Sequence, residues 1–425
     1  MGFGHTTSTW HSRARGRAIK AMVVLAALVG LGLAFQTAPV PRAAASRACS
    51  LPRRTALPRL LVPDENLLSE TIDRALAYET DEVIIPQFRR KGAWLWRQWR
   101  GTVLEFTWVP ASLNMLVGLT LTFFIRRVGT LQGHIWPLGA VPSDKVPIVA
   151  RLMSVHVMWS YQLTLTTFIL TFFISQAYAF WREQFSLARR VQGRLLQFSL
   201  LLSAHASRLP TGECTPKAKE LLTATARNVR LCHITFWAGQ CQTFKALLQP
   251  SALSALQARG ALTESEADAL ERVPPKARHD VVIQWMLIRA LAGLKSGALQ
   301  GNPPLEAKLM DQVNGLHGAC GGIMDNKEDR MPVAYVHIVQ VLVDSLVLLI
   351  PAALYPKVGI VSVPLAGLLT VFYRGLLEIG KEFLDPFNGD DETDINVDVL
   401  LAEVNAGSDR LPEAIATIPD TIPIQ

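Results

Sequence analysis

Glu382-Phe383-Leu384-Asp385-Pro386-Phe387-Asn388-Gly389-Asp390-Asp391-Glu392-Thr393-Asp394 is the stretch from which the chain is best read. It follows directly on an apolar run, Val358 to Leu377, that is long enough to cross a bilayer. A proline turn just past a membrane helix, then carboxylates with a glycine among them, can present hard oxygen ligands to a cation. The alternative is a solvated acidic loop.

Three further apolar stretches lie upstream: Val103 to Ile125, roughly Leu152 to Trp181, and Val333 to Leu354. A bilayer core of about 30 Å needs about 20 helical residues, so each is long enough to span. Trp94, Trp96 and Trp99 precede the first and Arg126-Arg127 follow it, as at membrane interfaces. The second is rich in threonine: Thr164, Thr166, Thr167 and Thr171. Only Tyr355-Pro356-Lys357 separates the last pair, which predicts a tight hairpin there. Arg89, Arg90, Lys91, Arg97 and Arg100 before the first span and Arg182, Arg189, Arg190 and Arg194 after the second favour both ends and the long middle segment on the stromal or cytosolic side. Arg126, Arg127, Lys145 and Arg151 argue against it.

The middle segment carries helical punctuation. Thr263-Glu264-Ser265-Glu266 is a capping box, and Pro274-Pro275 and Pro303-Pro304 suit first helical turns. No long run alternates with period two. The fold class read here is an all-α membrane protein of four transmembrane helices plus a helical stromal or cytosolic part.

The chain is 425 residues long and 50% hydrophobic, too apolar for an ordinary soluble enzyme. Its formal charge of +7 misleads. Residues 1–63 hold nine Lys and Arg and no acid, leaving 33 basic against 35 acidic residues in the remainder, so a nucleic-acid function is rejected. Arg13, Arg15, Arg17 and Lys20 precede a short apolar run, Ala21 to Ala34, of signal-peptide type. Phe35 then opens an Arg-, Ala- and Pro-rich stretch. The whole resembles the two-part presequence of proteins sent to plastids with extra envelope membranes; a plain secretory signal is the other reading. This places a bipartite leader at 1–63, the helical membrane domain at 64–410 and a disordered tail at 411–425. Cys49, Cys214, Cys232, Cys241 and Cys320 have no metal-ligand spacing and read as buried thiols.

From about residue 94 to 410 the motifs fall in an order that resembles bestrophins, the pentameric anion channels. Trp99-Arg100-Gly101-Thr102 resembles the lead into their first span, and Tyr178, Trp181 and Arg182 the close of their second. Leu262 to Glu271 resembles a T-x-x-E-x-x-x-L-E helix, and Ala319-Cys320-Gly321 with Pro332-Val333-Ala334-Tyr335 the lead into the third span. Asp385-Pro386-Phe387 and the acidic cluster complete the series. The resemblance implies a homopentamer in lipid that conducts chloride, bicarbonate or other small anions through a central pore. It places Leu163, Thr167 and Thr171 at the pore neck and Val282, next to Val281, at a cytosolic aperture. It also implies a possible Ca²⁺ clasp of Asp391 and Asp394, with backbone oxygens of Glu382 and Asp385 as lesser members. The acidic run here is shorter than in the family and interrupted by Thr393, so an acidic belt without tight calcium binding is the other reading.

A ring of threonine hydroxyls could donate to a dehydrating anion without trapping it; alternatively the hydroxyls satisfy helix carbonyls. Glu105, His156, His337 and Asp344 are charged or polar at membrane depth and each needs a partner or water. His317 to Gly322 is the nearest approach to a nucleophile loop, and nothing completes it, so no enzyme is expected. A secondary anion transporter and a non-conducting assembly factor compete with the channel reading. The leader points to a plastid membrane, most simply the thylakoid, and to a role in inorganic-carbon supply.

Overall fold

The computed structural model describes residues 65–86, 98–99, 101–142, 146–301, 303–389 and 394–414. The expected leader and Asp391 lie outside them. The longer elements are α1 (Glu65–Leu76), α2 (Val103–Leu131), α3 (Pro147–Ala204), α4 (Pro216–Gln240), α5 (Pro250–Ala258), α6 (Glu264–Glu271), α7 (Arg278–Lys295), α8 (Pro303–Glu328), α9 (Val333–Val358), α10 (Ser362–Glu382) and α11 (Val397–Ala414). Among the described residues extended pairing is confined to two isolated bridges, so the fold is all-α as expected. The chain forms two compact units: Trp96–Ala177 with Met331–Lys381, and Tyr178–Arg330 with the segments around α1 and α11.

In the first unit, α2, α3 and the stretch Val333–Glu382 are long and apolar enough to cross a membrane. The hairpin expected at Tyr355 to Lys357 falls later. Those residues stay helical, because proline's fixed φ is compatible with a helix, and the chain turns at Gly359. Gly359 has φ +58°, and a Cβ there would lie 2.9 Å from the Ala140 carbonyl oxygen, so the position demands glycine.

With little water at that depth, side chains must satisfy backbone groups that helices leave open. Pro351 has no N–H to give Val347, four residues back. Asn114 of α2 supplies the donor instead, its Nδ2 bonding the Val347 oxygen at 3.0 Å and Thr370 Oγ1 of α10 at 2.8 Å. From α3, His156 Nδ1 donates to the Ala353 oxygen (2.9 Å) and Trp159 Nε1 to the Leu346 oxygen (3.2 Å). Three helices are thereby held in register against α9.

The second unit is built round α4, whose residues from Leu231 to Ala238 are nearly all buried. Thr215 caps it, with Pro216 at the first helical position. The capping box of α6 forms as read: Thr263 Oγ1 accepts the Glu266 amide (3.3 Å) and Glu266 Oε2 accepts the Thr263 amide (3.0 Å). Asn405 Nδ2 of α11 bonds the carbonyls of Ala75 (3.0 Å) and Ala77 (2.8 Å), tying the last helix to the end of α1. Helix α11 continues to Ala414, past the point at which the tail was expected to begin. Cys232, Cys241 and Cys320 are buried and Cys214 partly so; all four are free thiols.

Candidate pore face and acidic belt

Leu163, Thr167 and Thr171 share one face of α3, as a four-residue spacing requires. Leu163 is half-buried and both threonines are exposed on the protomer, as are Phe168 and Phe172. The hydroxyls are already engaged. Thr167 Oγ1 donates to the Leu163 oxygen at 2.7 Å and Thr171 Oγ1 to the Thr167 oxygen at 2.8 Å. A hydroxyl carries one proton, so the phenol of Tyr373, 2.9 Å from Thr167 Oγ1, is the donor in that contact. In this rotamer the face turns methyls and lone pairs outward, and an anion can take a threonine proton only by displacing a helix carbonyl.

Val282 requires a correction. It is 0% exposed and sits in the core of its own protomer among α4 and α7 residues, so it cannot line an aperture between protomers. Val281, half-buried, is the neighbouring valine with accessible surface. The hydrophobic character of the pair was legible; which member faces inward follows from the phase of α7 against α4.

The polar groups at membrane depth resolve into contacts. Glu105 Oε2 accepts the Gly101 amide at 2.9 Å, at the start of α2. Asp344 Oδ1 pairs with Arg374 Nη2 at 2.8 Å, and Asp344 Oδ2 accepts from Gln340 Nε2 at 2.7 Å. Arg374 Nη1 lies 3.8 Å from Glu378, which meets Lys381 at 3.0 Å. Asp344 and Arg374 stand equally far in sequence from Gly359, as an antiparallel hairpin dictates. Sequence reasoning missed Arg374. The signal was present: it is the basic residue inside the last apolar run, opposite the acid of the preceding one. His156 bonds a carbonyl, while His337 is exposed on the protomer.

In the second unit the Asp385-Pro386-Phe387 turn is anchored. Phe387 is buried against Trp237, ring centroids 5.0 Å apart, and the Pro386 oxygen accepts the Ile395 amide at 2.9 Å. Gly389 has φ +76°, and a Cβ there would lie 2.6 Å from Thr243 Cγ2. Arg330 grips Asp385 in a fork, Nη2 to Oδ1 at 2.8 Å and Nη1 to Oδ2 at 3.3 Å. The Glu382 and Asp385 carbonyls accept the Asp385 and Asn388 amides, at 3.1 and 3.4 Å. Asp394 is buried. Beside the turn, Tyr178, Trp181 and Phe185 stack in series, and Phe383 lies tilted against Tyr178 and Trp181.

Among the described residues, which leave out Asp391, no three His, Cys, Asp or Glu side chains converge, and the Asp385 carboxylate is paired with the Arg330 guanidinium.

A bundle of long apolar helices, with carbonyls satisfied from neighbouring helices and a proline-anchored acidic turn after the last, defines an all-helical membrane protein. The chain matches the family described as "Bestrophin, RFP-TM, chloride channel" over residues 148–406, more than half its length, and belongs to that family. Among solved structures it is similar to a bacterial bestrophin homologue from Klebsiella pneumoniae, at 13% identity and TM-score 0.53, covering 71% of this chain and 97% of that one. A variant of the same bacterial protein gives 14% identity and TM-score 0.54 with the same coverage. The comparison with curated proteins found no match.

Proposed function

We propose that this bestrophin is a passive anion channel, assembled as a homopentamer, that conducts chloride and bicarbonate across a plastid membrane. The family match over residues 148–406 carries the conduction reading. The exposed face of α3 supports a pore wall: Thr167, Thr171, Phe168 and Phe172 are large or polar groups left uncovered on a protomer, and an oligomer gives such a face a partner or a lumen.

The neck works chiefly by shape and weak dipoles. Its threonine protons are held by helix carbonyls, so a passing anion meets no fixed charge that would trap it. The net value of one such bond is about 0.5–1.5 kcal/mol, small enough for a proton to swing to an anion during passage. In the belt, the Arg330–Asp385 fork holds the turn that follows α10, with or without a cation.

Thylakoid delivery and a part in inorganic-carbon supply rest on the acid-free leader with Phe35. The deciding experiment is reconstitution of residues 64–425 in planar bilayers, with reversal potentials recorded in chloride and bicarbonate gradients. Stepwise single-channel currents that reverse at the anion potentials are expected. Electrically silent, coupled exchange would indicate a transporter, and no flux from assembled protein a non-conducting factor. Residues 1–63 fused to a fluorescent protein test the address; fluorescence confined to the secretory pathway would refute it.

A further inference from the structure

Arg126 is an unpaired cation in an apolar setting. Its Nη1 is buried without a hydrogen-bond partner, and no ion pair involves it among the described residues. The adjoining Ile125 packs in an apolar cluster with Leu121, Val146, Val149, Leu152 and Tyr355. A guanidinium nitrogen held out of water without a partner favours an anionic oxygen beside it.

Tyr355 supplies a second donor. It is buried, and both Arg126 and the Trp136 indole lie near enough to act on its hydroxyl. A phenol has one proton to donate, and no acceptor for it occurs among the described residues. The Trp136 ring is seated on Gly129, where a Cβ would lie 2.3 Å from it, and this fixes the indole over the site. Two unspent donors, one charged, thus stand together.

The chain offers little to neutralise them. Between Glu105 and Glu183 the sequence has one acid, Asp144, against Arg126, Arg127, Lys145, Arg151 and Arg182. At about 1.5 Å per residue, Arg126 is about 35 Å along α2 from Val103. That distance places it at the far edge of a hydrocarbon core about 30 Å thick, where headgroups lie. On the same face of α2, Phe123 and Leu119, three and seven residues back, are exposed apolar groups on which an acyl chain could lie.

We propose that Arg126 and Tyr355 form a site for one oxyanion headgroup, phosphate or sulfonate, of an anionic membrane lipid. Guanidinium forks match such oxygens in pairs, and basic pockets at the ends of membrane helices suit anionic headgroups. The apolar face beneath the site favours a lipid over free phosphate.

The full chain, purified and stripped of lipid, is titrated with phosphatidylglycerol in mixed micelles, with phosphatidylcholine, and with inorganic phosphate. Thermal stability and lipid retained in native mass spectra are read. Phosphatidylglycerol should raise the melting midpoint and be retained, and phosphatidylcholine should do neither. Arg126→Gln should abolish retention, and Tyr355→Phe should weaken it about ten-fold, the scale of a charge-assisted hydrogen bond. Arg127→Gln, at an exposed position, should stay within about two-fold, as befits a screened surface charge. Equal retention of the two lipids, or retention that survives Arg126→Gln, would overturn the proposal. A full shift with inorganic phosphate alone would assign the site to a soluble oxyanion and overturn the lipid. Should Arg126→Gln fail to fold, Tyr355→Phe decides alone, unchanged retention counting against the site. None of these readouts depends on conduction, so the channel reading stands or falls separately.

Discussion

The neck face of α3 and the turn after α10 are both polar, yet they are stabilised in opposite ways. Thr167 and Thr171 are exposed and bond carbonyls four residues back in their own helix. Asp385 and Phe387 are held by residues remote in sequence, Arg330 and Trp237. The first region can be changed side chain by side chain with little consequence for folding. The second is part of a core, and its variants report stability before they report gating. The seam between α9 and α10 resembles the turn in this respect, with higher stakes because little water can rescue a broken pair.

That contrast can be broken most forcefully at the seam. Asp344→Leu leaves Arg374 buried without its closest carboxylate and should cost about 3–5 kcal/mol, the scale for stripping one partner from a buried pair. Loss of folded protein on size-exclusion chromatography is expected, with substantial recovery in Asp344→Leu/Arg374→Leu. Failure of the double variant to recover would show that the pair is not the source of the loss. Phe387→Ala comes next, at about 3–5 kcal/mol for an aromatic removed from a core. Its melting midpoint should fall while single-channel conductance of the surviving assemblies stays unchanged.

A third test uses pH. Burial pushes His233 down to about 3, and the neutral ring accepts from Trp237 Nε1 at 2.7 Å. The unfolded chain binds a proton near the ordinary histidine value while the folded one does not. The stabilisation is therefore complete above about pH 6.5 and is lost as pH falls toward 3. About 2 kcal/mol should disappear by pH 5. His233→Leu should flatten that part of the profile in thermal melts between pH 7.5 and 5, and an unaltered slope would count against it. At the turn, Gly389→Ala combines a left-handed φ with a close contact to Thr243 and should cost about 1–3 kcal/mol, visible as a lowered denaturation midpoint.

The smallest effect belongs to the neck. Thr167→Val/Thr171→Val should leave assembly intact and shift selectivity toward weakly hydrated iodide or nitrate by no more than about ten-fold, since each bond at stake is worth about 0.5–1.5 kcal/mol net. Identical permeability ratios would mean that the hydroxyl protons never leave their carbonyls and that the face contributes shape alone.

What the sequence by itself determined is what short-range chemistry controls. Apolar run lengths located the long helices, the Thr263–Glu266 spacing predicted a capping box that forms, and Asp385-Pro386-Phe387 marked the end of the last long apolar helix. The order of motifs pointed to the family. Only the tertiary structure decided the rest, because it depends on helix phase and on partners far apart in the chain. Val282 faces its own core and not an aperture, since α7 must bury one side against α4. The hairpin turns at Gly359 instead of Pro356, since only glycine fits under the Ala140 carbonyl. Asp344 finds Arg374 across the hairpin, and the Asp385 carboxylate finds Arg330. In each case the residue's chemistry was legible, and the identity of its partner was a matter of packing.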